Sequence, residues 1–238
     1  SRKRKEEFEM NYYERALELK HEIITNRRYF HTNAEVALNM PKAQAYVMEK
    51  LESYGIKAYK CGHGVTATIG KDGKCILLRA DMDALPMPEE SGEKFACPTG
   101  TEAHACGHDF HAAMLLGAAK MLKENEESLK GTVKLMFQPA EETFEGSRDM
   151  IEAGILENPP VDAVAAVALG GVLSGEVGAA AHDALAGCRL LAGGAVAGLV
   201  GEHTGAELGG LHQFIGVTHG VQGGTELVRD HTLAAIGF

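Results

Sequence analysis

Apolar side chains recur along the first part of the chain with two periods, one typical of helices and one typical of strands. An amphipathic helix is predicted over about 12–31, and a second helix over about 42–54. The second helix ends at Gly55, because glycine is favoured just past a helix C-terminus. The pattern then predicts short strands at 56–60, 65–69 and 75–79, with a hairpin turn at 71–74.

The alternation of strands and helices continues through the middle of the chain. A helix is predicted over about 110–125, a buried strand over 132–137 and a further helix over about 145–153. Alternating strands and helices imply a sheet that is covered by helices on both faces. The predicted fold class is therefore α/β, with three layers.

The composition changes after residue 169. Residues 170–238 contain 17 of the 29 glycines, no lysine, and five histidines without the spacing of metal ligands. A segment of this kind packs poorly and fixes few backbone angles. We therefore predict one compact domain over 1–175 and a smaller, less regular one over 176–238.

Charge and cysteine content narrow the classes of function. A net charge of -10 and a pI near 5.6 argue against a nucleic-acid partner. No apolar run approaches the roughly 18 residues of a membrane span, so no membrane partner is expected. Five cysteines at irregular spacing do not resemble a disulfide framework. A reducing cytoplasm is therefore the predicted compartment.

Segment 104–111 (HACGHDFH) concentrates residues that can bind a metal. Cys106 and His108 are separated by one glycine, so a tight backbone can aim both side chains at one point. Thiolate and imidazole together suit zinc or a similar transition ion, and Asp109 could orient the His108 ring. The alternative is a structural cysteine among histidines that cap a helix.

A second group of candidate residues follows the predicted strand at 132–137. Glu141 and Glu142 come at its end, where open α/β sheets keep their sites. Adjacent carboxylates on an extended backbone point in different directions. One can therefore bind a metal while the other faces a water molecule. The alternative is a pair of solvated glutamates that open a loop.

Three motifs, in this order and spacing, resemble the M20 metallopeptidase family. They are RADMDALP at 79–86, HACGHD at 104–109 and QPAEE at 138–142. The closer resemblance is to the amidohydrolase branch, which includes N-acyl-amino-acid, hippurate and indoleacetyl-amino-acid hydrolases. The similarity runs over about 27–169. It implies a catalytic metallohydrolase domain at 1–175, followed at 176–238 by an incomplete α+β lid or dimerisation domain.

The resemblance also implies a ligand set and a reaction. Cys106, His108 and Glu142 would bind a divalent transition metal, with zinc first and manganese, cobalt or nickel as alternatives. Glu141 would be the general base for a metal-activated water that cleaves the amide bond of an N-acyl amino acid. Asp83 would support the metal-binding imidazole, and His203 would match a lid histidine that reaches the substrate carbonyl oxygen. A homodimer is a further expectation.

Two other functions remain open at this point. Cys106 could be the nucleophile of a thiol amidase, activated by His104 or His108. The chain could instead be a catalytically impaired relic or a binding module, because the resemblance implies a further histidine ligand near 161–171 and that segment has none. With only Cys106, His108 and Glu142 as ligands, we expect at most one tightly bound metal per chain and weak or no amidase activity. His31, after the first predicted helix, is interpreted as a supporting residue.

Overall fold

A computed structural model of the protein describes residues 10–166, and beyond them the backbone of three short strands at 197–198, 212–215 and 234–237. The predicted domain boundary at 175 lies outside the described residues, as does His203. In the part of the chain that the structure describes, none of the helices combines the length and apolarity that crossing a bilayer requires.

The N-terminal helical region differs in one detail from its prediction. The helix expected over about 12–31 is two helices, α1 (Tyr12–Glu18) and α2 (Lys20–Thr32), which meet at Leu19. The break arises because Leu19 has a ψ of -4°, well short of the helical value near -42°. Helix α3 (Pro41–Ser53) confirms the second prediction. The carboxylate of Glu35 caps it by accepting hydrogen bonds from its first amide groups.

Six strands form the main sheet, in the order β1-β2-β4-β3-β5-β6. They are β1 (Ala58–Cys61), β2 (Gly64–Gly70), β3 (Cys75–Asp81), β4 (Thr132–Gln138), β5 (Ala163–Ala166) and β6 (Ala197–Gly198). Strands β3, β4, β5 and β6 are mutually parallel, whereas β1 and β2 run antiparallel to their neighbours. The hairpin predicted at 71–74 is wrong, because β4 is inserted between β2 and β3. Strand β4 is buried along its whole length, which explains its central position.

Side chains on alternate positions of β4 contact helices on opposite faces of the sheet. Leu135 and Phe137 belong to a core that includes residues of α3 and α4 (His108–Glu124). Met136 packs instead with Met150 of α5 (Gly146–Glu152). This arrangement confirms the predicted three-layer α/β fold.

Smaller elements complete the described chain. A 3-10 helix at Glu126–Ser128 follows α4. Strands β7 (His212–Ile215) and β8 (Ala234–Gly237) form a separate antiparallel pair. These two strands and β6 are the described elements beyond residue 175.

Candidate metal centre

The carboxyl ends of β3 and β4 bring two of the three sequence motifs together. Because the strands are parallel and in register, Asp81 lies opposite Gln138. The amide of Met82 donates to the Gln138 carbonyl at 2.9 Å, which continues the pairing beyond the strands. The amide of Glu142 then donates to Asp83 Oδ2 at 3.1 Å. The segment after β3 therefore contacts the segment with the paired glutamates directly.

The glutamate segment is a tight turn between β4 and α5. The amide of Phe144 donates to the Glu141 carbonyl at 2.9 Å, and Ala140 has a φ of 49°. Gly146 lies so close to the chain before it that a Cβ there would be 1.6 Å from the Pro139 carbonyl oxygen. Only glycine permits this approach. The turn is thereby fixed close to the sheet edge.

The third motif lies where the 86–107 loop joins α4. Gly107 precedes the helix with a φ of 80°, a conformation that glycine adopts without steric cost. The turn separates Cys106, which is exposed, from His108, which begins the helix and is buried. The glycine between the two residues therefore has the role that the sequence suggested.

The structure brings the three predicted ligand residues together. Cys106, His108 and Glu142 each offer one ligand atom, and these atoms lie within 4.8 Å of one another. Nε2 of His108 is 3.8 Å from Glu142 Oε1 and also 3.8 Å from Glu141 Oε2. Glu141 thus lies beside the cluster.

Asp83 orients the His108 ring. Nδ1 of His108 donates to the main-chain carbonyl of Asp83 at 2.8 Å, and its distance to Asp83 Oδ1 is 3.2 Å. With Nδ1 held by Asp83, Nε2 is the nitrogen directed toward the glutamates, and it can bind a metal once it gives up its own proton. Burial lowers the pKa of His108, but the carboxylates of Asp83 and Asp81 outweigh it and raise the pKa to about 9.

The electrostatics of the cluster fit a bound cation. Burial and the neighbouring Glu142 raise the pKa of the Cys106 thiol to about 12. Burial and the charge of Asp81 also raise the pKa of Glu141. Oε1 of Glu142 is buried and has no hydrogen-bond partner among the described residues. Because a buried, unpaired carboxylate oxygen is costly, these donors suit a divalent ion with sulfur, nitrogen and oxygen ligands.

A second, fully buried group lies behind His108. Asp81, His108 and His111 also bring ligand atoms within 4.8 Å of one another. Asp81 already has a cationic partner, however, because Arg79 Nη2 lies 2.5 Å from its Oδ1. This ion pair indicates a structural role for Asp81. His111, which lies in segment 104–111 but outside the predicted ligand set, belongs to this group because its i, i+3 spacing from His108 places both on one helix face.

The structure does not support the prediction that Asp109 orients the His108 ring. Oδ2 of Asp109 lies 2.6 Å from Arg27 Nε and 2.7 Å from His31 Nδ1, and both residues are on α2. Nδ1 of His108 donates instead to the main-chain carbonyl of Asp83. His104 is buried near His31, and burial lowers its pKa to about 4.

Comparison with known proteins identifies the family. Residues 77–227 match the description "Peptidase family M20/M25/M40". The chain belongs to this family. One similar protein is the IAA-amino acid hydrolase ILR1-like 4 of Arabidopsis thaliana. It is 46% identical over 136 residues, covering 56% of this chain and 31% of that protein. The N-acetyl-L-cysteine deacetylase of Bacillus subtilis (strain 168) is 42% identical over 150 residues, covering 61% of this chain and 36% of that protein.

A solved M20 structure supports the same assignment. The Bacillus subtilis YxeP protein, described as a dinuclear metal binding peptidase from the M20 family, superposes with a TM-score of 0.62 at 36% identity. The superposition covers 65% of this chain and 44% of that one. The chain spans about a third of the length of the Arabidopsis hydrolase and of the Bacillus deacetylase. The family resemblance expected from the three motifs is confirmed.

Proposed function

We propose that this chain carries the metal-binding part of a metal-dependent amidohydrolase that cleaves N-acyl amino acids. The observation that supports the proposal most directly is the approach of the Cys106, His108 and Glu142 ligand atoms to within 4.8 Å, with Glu141 beside them. The group lies at the carboxyl ends of parallel strands, where α/β enzymes bind their ligands.

Cys106, His108 and Glu142 are the residues that would hold the metal. Three protein ligands suffice for one catalytic zinc with an open position, and manganese, cobalt or nickel could use the same donors. When bound, the ion supplies positive charge that lowers the pKa of a water molecule and polarises the amide carbonyl. Asp83 holds the His108 ring with Nε2 toward the glutamates, where it would bind the ion.

Glu141 is the residue we assign to proton transfer. Its side chain is 16% exposed, so it contacts both the ligand cluster and solvent. Its raised pKa, caused by burial and by Asp81, makes the carboxylate a better proton acceptor. Glu141 takes a proton from the attacking water as the new carbon–oxygen bond forms. It passes that proton to the leaving nitrogen as the carbon–nitrogen bond breaks, giving a carboxylic acid and a free amine.

The substrate class rests on the relatives. Their names specify hydrolysis of IAA–amino acid conjugates and deacetylation of N-acetyl-L-cysteine, both of which are N-acylated amino acids. We extend the proposal to a catalytic domain over 1–175, a lid or dimerisation region over 176–238 in which His203 reaches the substrate carbonyl, and a homodimer. We also propose a cytoplasmic location, because free thiols such as those of the described cysteines persist in a reducing compartment.

The first test is Glu141→Gln, assayed on a panel of N-acyl amino acids after metal content is measured. Losing a positioned base typically costs about 10²- to 10⁴-fold in turnover, so we expect a loss of this size with metal binding retained. The matched control is Glu145→Gln, because Glu145 is exposed and its side chain accepts a local hydrogen bond from the Thr143 hydroxyl. Near-full activity in Glu141→Gln would refute the assignment.

The second test separates a metal ligand from a thiol nucleophile. Cys106→Ser should weaken metal binding, since a hydroxyl stays protonated and is a poor ligand for zinc. Activity should return in part with excess metal. The thiol route has less support because the environment of Cys106 raises its thiol pKa, whereas a nucleophilic cysteine needs a lowered one. An inactive variant at saturating metal would favour the thiol route.

A further inference from the structure

The 86–107 loop, which leads from the β3 motif to α4, is attached to α2 through a glutamate. Oε1 of Glu89 lies 2.8 Å from Nε2 of His31. The same carboxylate organises the loop, because it accepts hydrogen bonds from the hydroxyl of Ser91 and, at 3.2 Å, from the amide of Cys97. The hydroxyl of Thr32 donates to the Phe95 carbonyl at 2.9 Å. This part of the loop is therefore held against the end of α2.

The other nitrogen of His31 binds the start of α4. Nδ1 lies 2.7 Å from Asp109 Oδ2, and Arg27, one turn earlier on α2, lies 2.6 Å from the same oxygen. Ionised carboxylates only accept hydrogen bonds, so the imidazole donates from both nitrogens. Arg27 Nη2, 3.2 Å from Nδ1, is then a neighbouring donor that shares Asp109 and not a hydrogen-bond partner of that nitrogen. The hydrogen bonds that His31 donates to Asp109 and to Glu89 outweigh burial and raise the pKa of His31, as a doubly protonated ring requires.

These two contacts close a ring in the chain. His31 contacts both ends of segment 89–109, Glu89 and Asp109, and Cys106 and His108 lie between these ends. Both candidate ligands on this side of the metal centre therefore lie inside the closed segment. Closing a segment reduces the number of conformations it can adopt, and a ligand set that is ordered in advance binds its ion more tightly.

We propose that His31 is a positioning residue for the metal centre: by bridging Glu89 and Asp109 it fixes the loop that carries Cys106 relative to the helix that begins with His108. The inference rests on the proposed function, because it concerns the geometry of the proposed ligands. It assigns His31 no contact with the substrate or the ion.

The test opens the ring at Glu89, which is remote from the proposed ligands in sequence. The variants are Glu89→Ala and the milder Glu89→Gln in the 238-residue chain, with Glu90→Ala as the matched control because Glu90 is an exposed neighbour. Two quantities are measured. The first is hydrogen exchange of segment 86–107 without metal. The second is the affinity for Co²⁺, followed by the thiolate-to-cobalt absorption band.

We expect Glu89→Ala to exchange faster within 86–107 and to bind Co²⁺ about tenfold more weakly, the lower end of the loss typical for residues that support metal ligands. Glu89→Gln should fall between it and the wild type, and Glu90→Ala should match the wild type. Faster exchange with unchanged Co²⁺ affinity would overturn the inference, since the bridge would then be merely structural. Unchanged exchange would overturn it as well. Absence of Co²⁺ binding in the wild type would overturn the proposed function together with this inference.

Discussion

Replacing Asp83 by asparagine tests how the candidate metal centre is supported. The Asp83 carboxylate touches both sides of the centre, with Oδ1 3.2 Å from His108 Nδ1 and Oδ2 accepting from the Glu142 amide at 3.1 Å. Both neighbouring atoms carry hydrogens. Asparagine has the same shape but offers one acceptor oxygen and one NH₂ group. Whichever way the amide is turned, a donor then faces a donor on one side.

The size of the expected effect follows from the contact that remains. The main-chain carbonyl of Asp83 still accepts from His108 Nδ1 at 2.8 Å in the variant, so the ring keeps its main hydrogen bond. Loss of a residue that supports a metal ligand typically costs about 10- to 100-fold in affinity. With one of two acceptors retained, we expect the lower limit, about tenfold or 1.4 kcal/mol.

The assay is a Co²⁺ titration of Asp83→Asn, with Asp72→Asn as the control. Asp72 lies in an exposed turn with a φ of 57°, a conformation that asparagine also tolerates, so its loss of charge should have no effect on binding. Equal dissociation constants for the two variants would refute the supporting role of the Asp83 side chain. A loss well beyond about 100-fold would show that the carboxylate, and not the carbonyl, is the principal support.

Two further predictions concern the side of the sheet covered by α5. Lys134→Met should lower the free energy of unfolding, measured with urea, by about 2–4 kcal/mol, because buried Lys134 donates to the main-chain carbonyls of Ile155, Glu157 and Pro159. The control Lys130→Met, at an exposed position, should change the free energy of unfolding by less than about 0.5 kcal/mol. Gly146→Ala should lower the free energy of unfolding by more than about 3 kcal/mol, because the added Cβ would lie 1.6 Å from the Pro139 carbonyl oxygen. Gly92→Ala has open space around it and should lower the free energy of unfolding by only about 1–2 kcal/mol, because of its positive φ. Equal losses in the two variants would contradict the predicted clash.

Local patterns predicted most of the secondary structure. The apolar run at 132–137 became β4 (Thr132–Gln138), and the predicted helix at 42–54 became α3 (Pro41–Ser53). These predictions succeed because they depend on side chains that are close in sequence. The strand order does not depend on such local contacts. Strand β4 separates β2 from β3 even though the turn at 71–74 has the residues of a hairpin. Burial on both faces of β4 decides its central position, and no turn residue records that.

The candidate site shows the same division between local and distant information. Motif spacing and resemblance selected Cys106, His108 and Glu142, and the structure brings their ligand atoms together. The orientation of Asp109 could not be read in this way. It follows His108 directly, but successive residues of a helix point about 100° apart, so its carboxylate faces α2 rather than the neighbouring ring.

The partners of Asp109 explain why the supporting contacts of a site are harder to predict than its ligands. His31 and Arg27 lie on α2, 78 and 82 residues away from Asp109 in the chain. No spacing rule connects residues so far apart, whereas Cys106 and His108 are joined by a single glycine that limits where they can point. The metal's requirement for particular donor atoms restricts the choice of ligands to a few residue types. A buried carboxylate can be satisfied by many donors, so only the packing of α2 against α4 determines which one it meets.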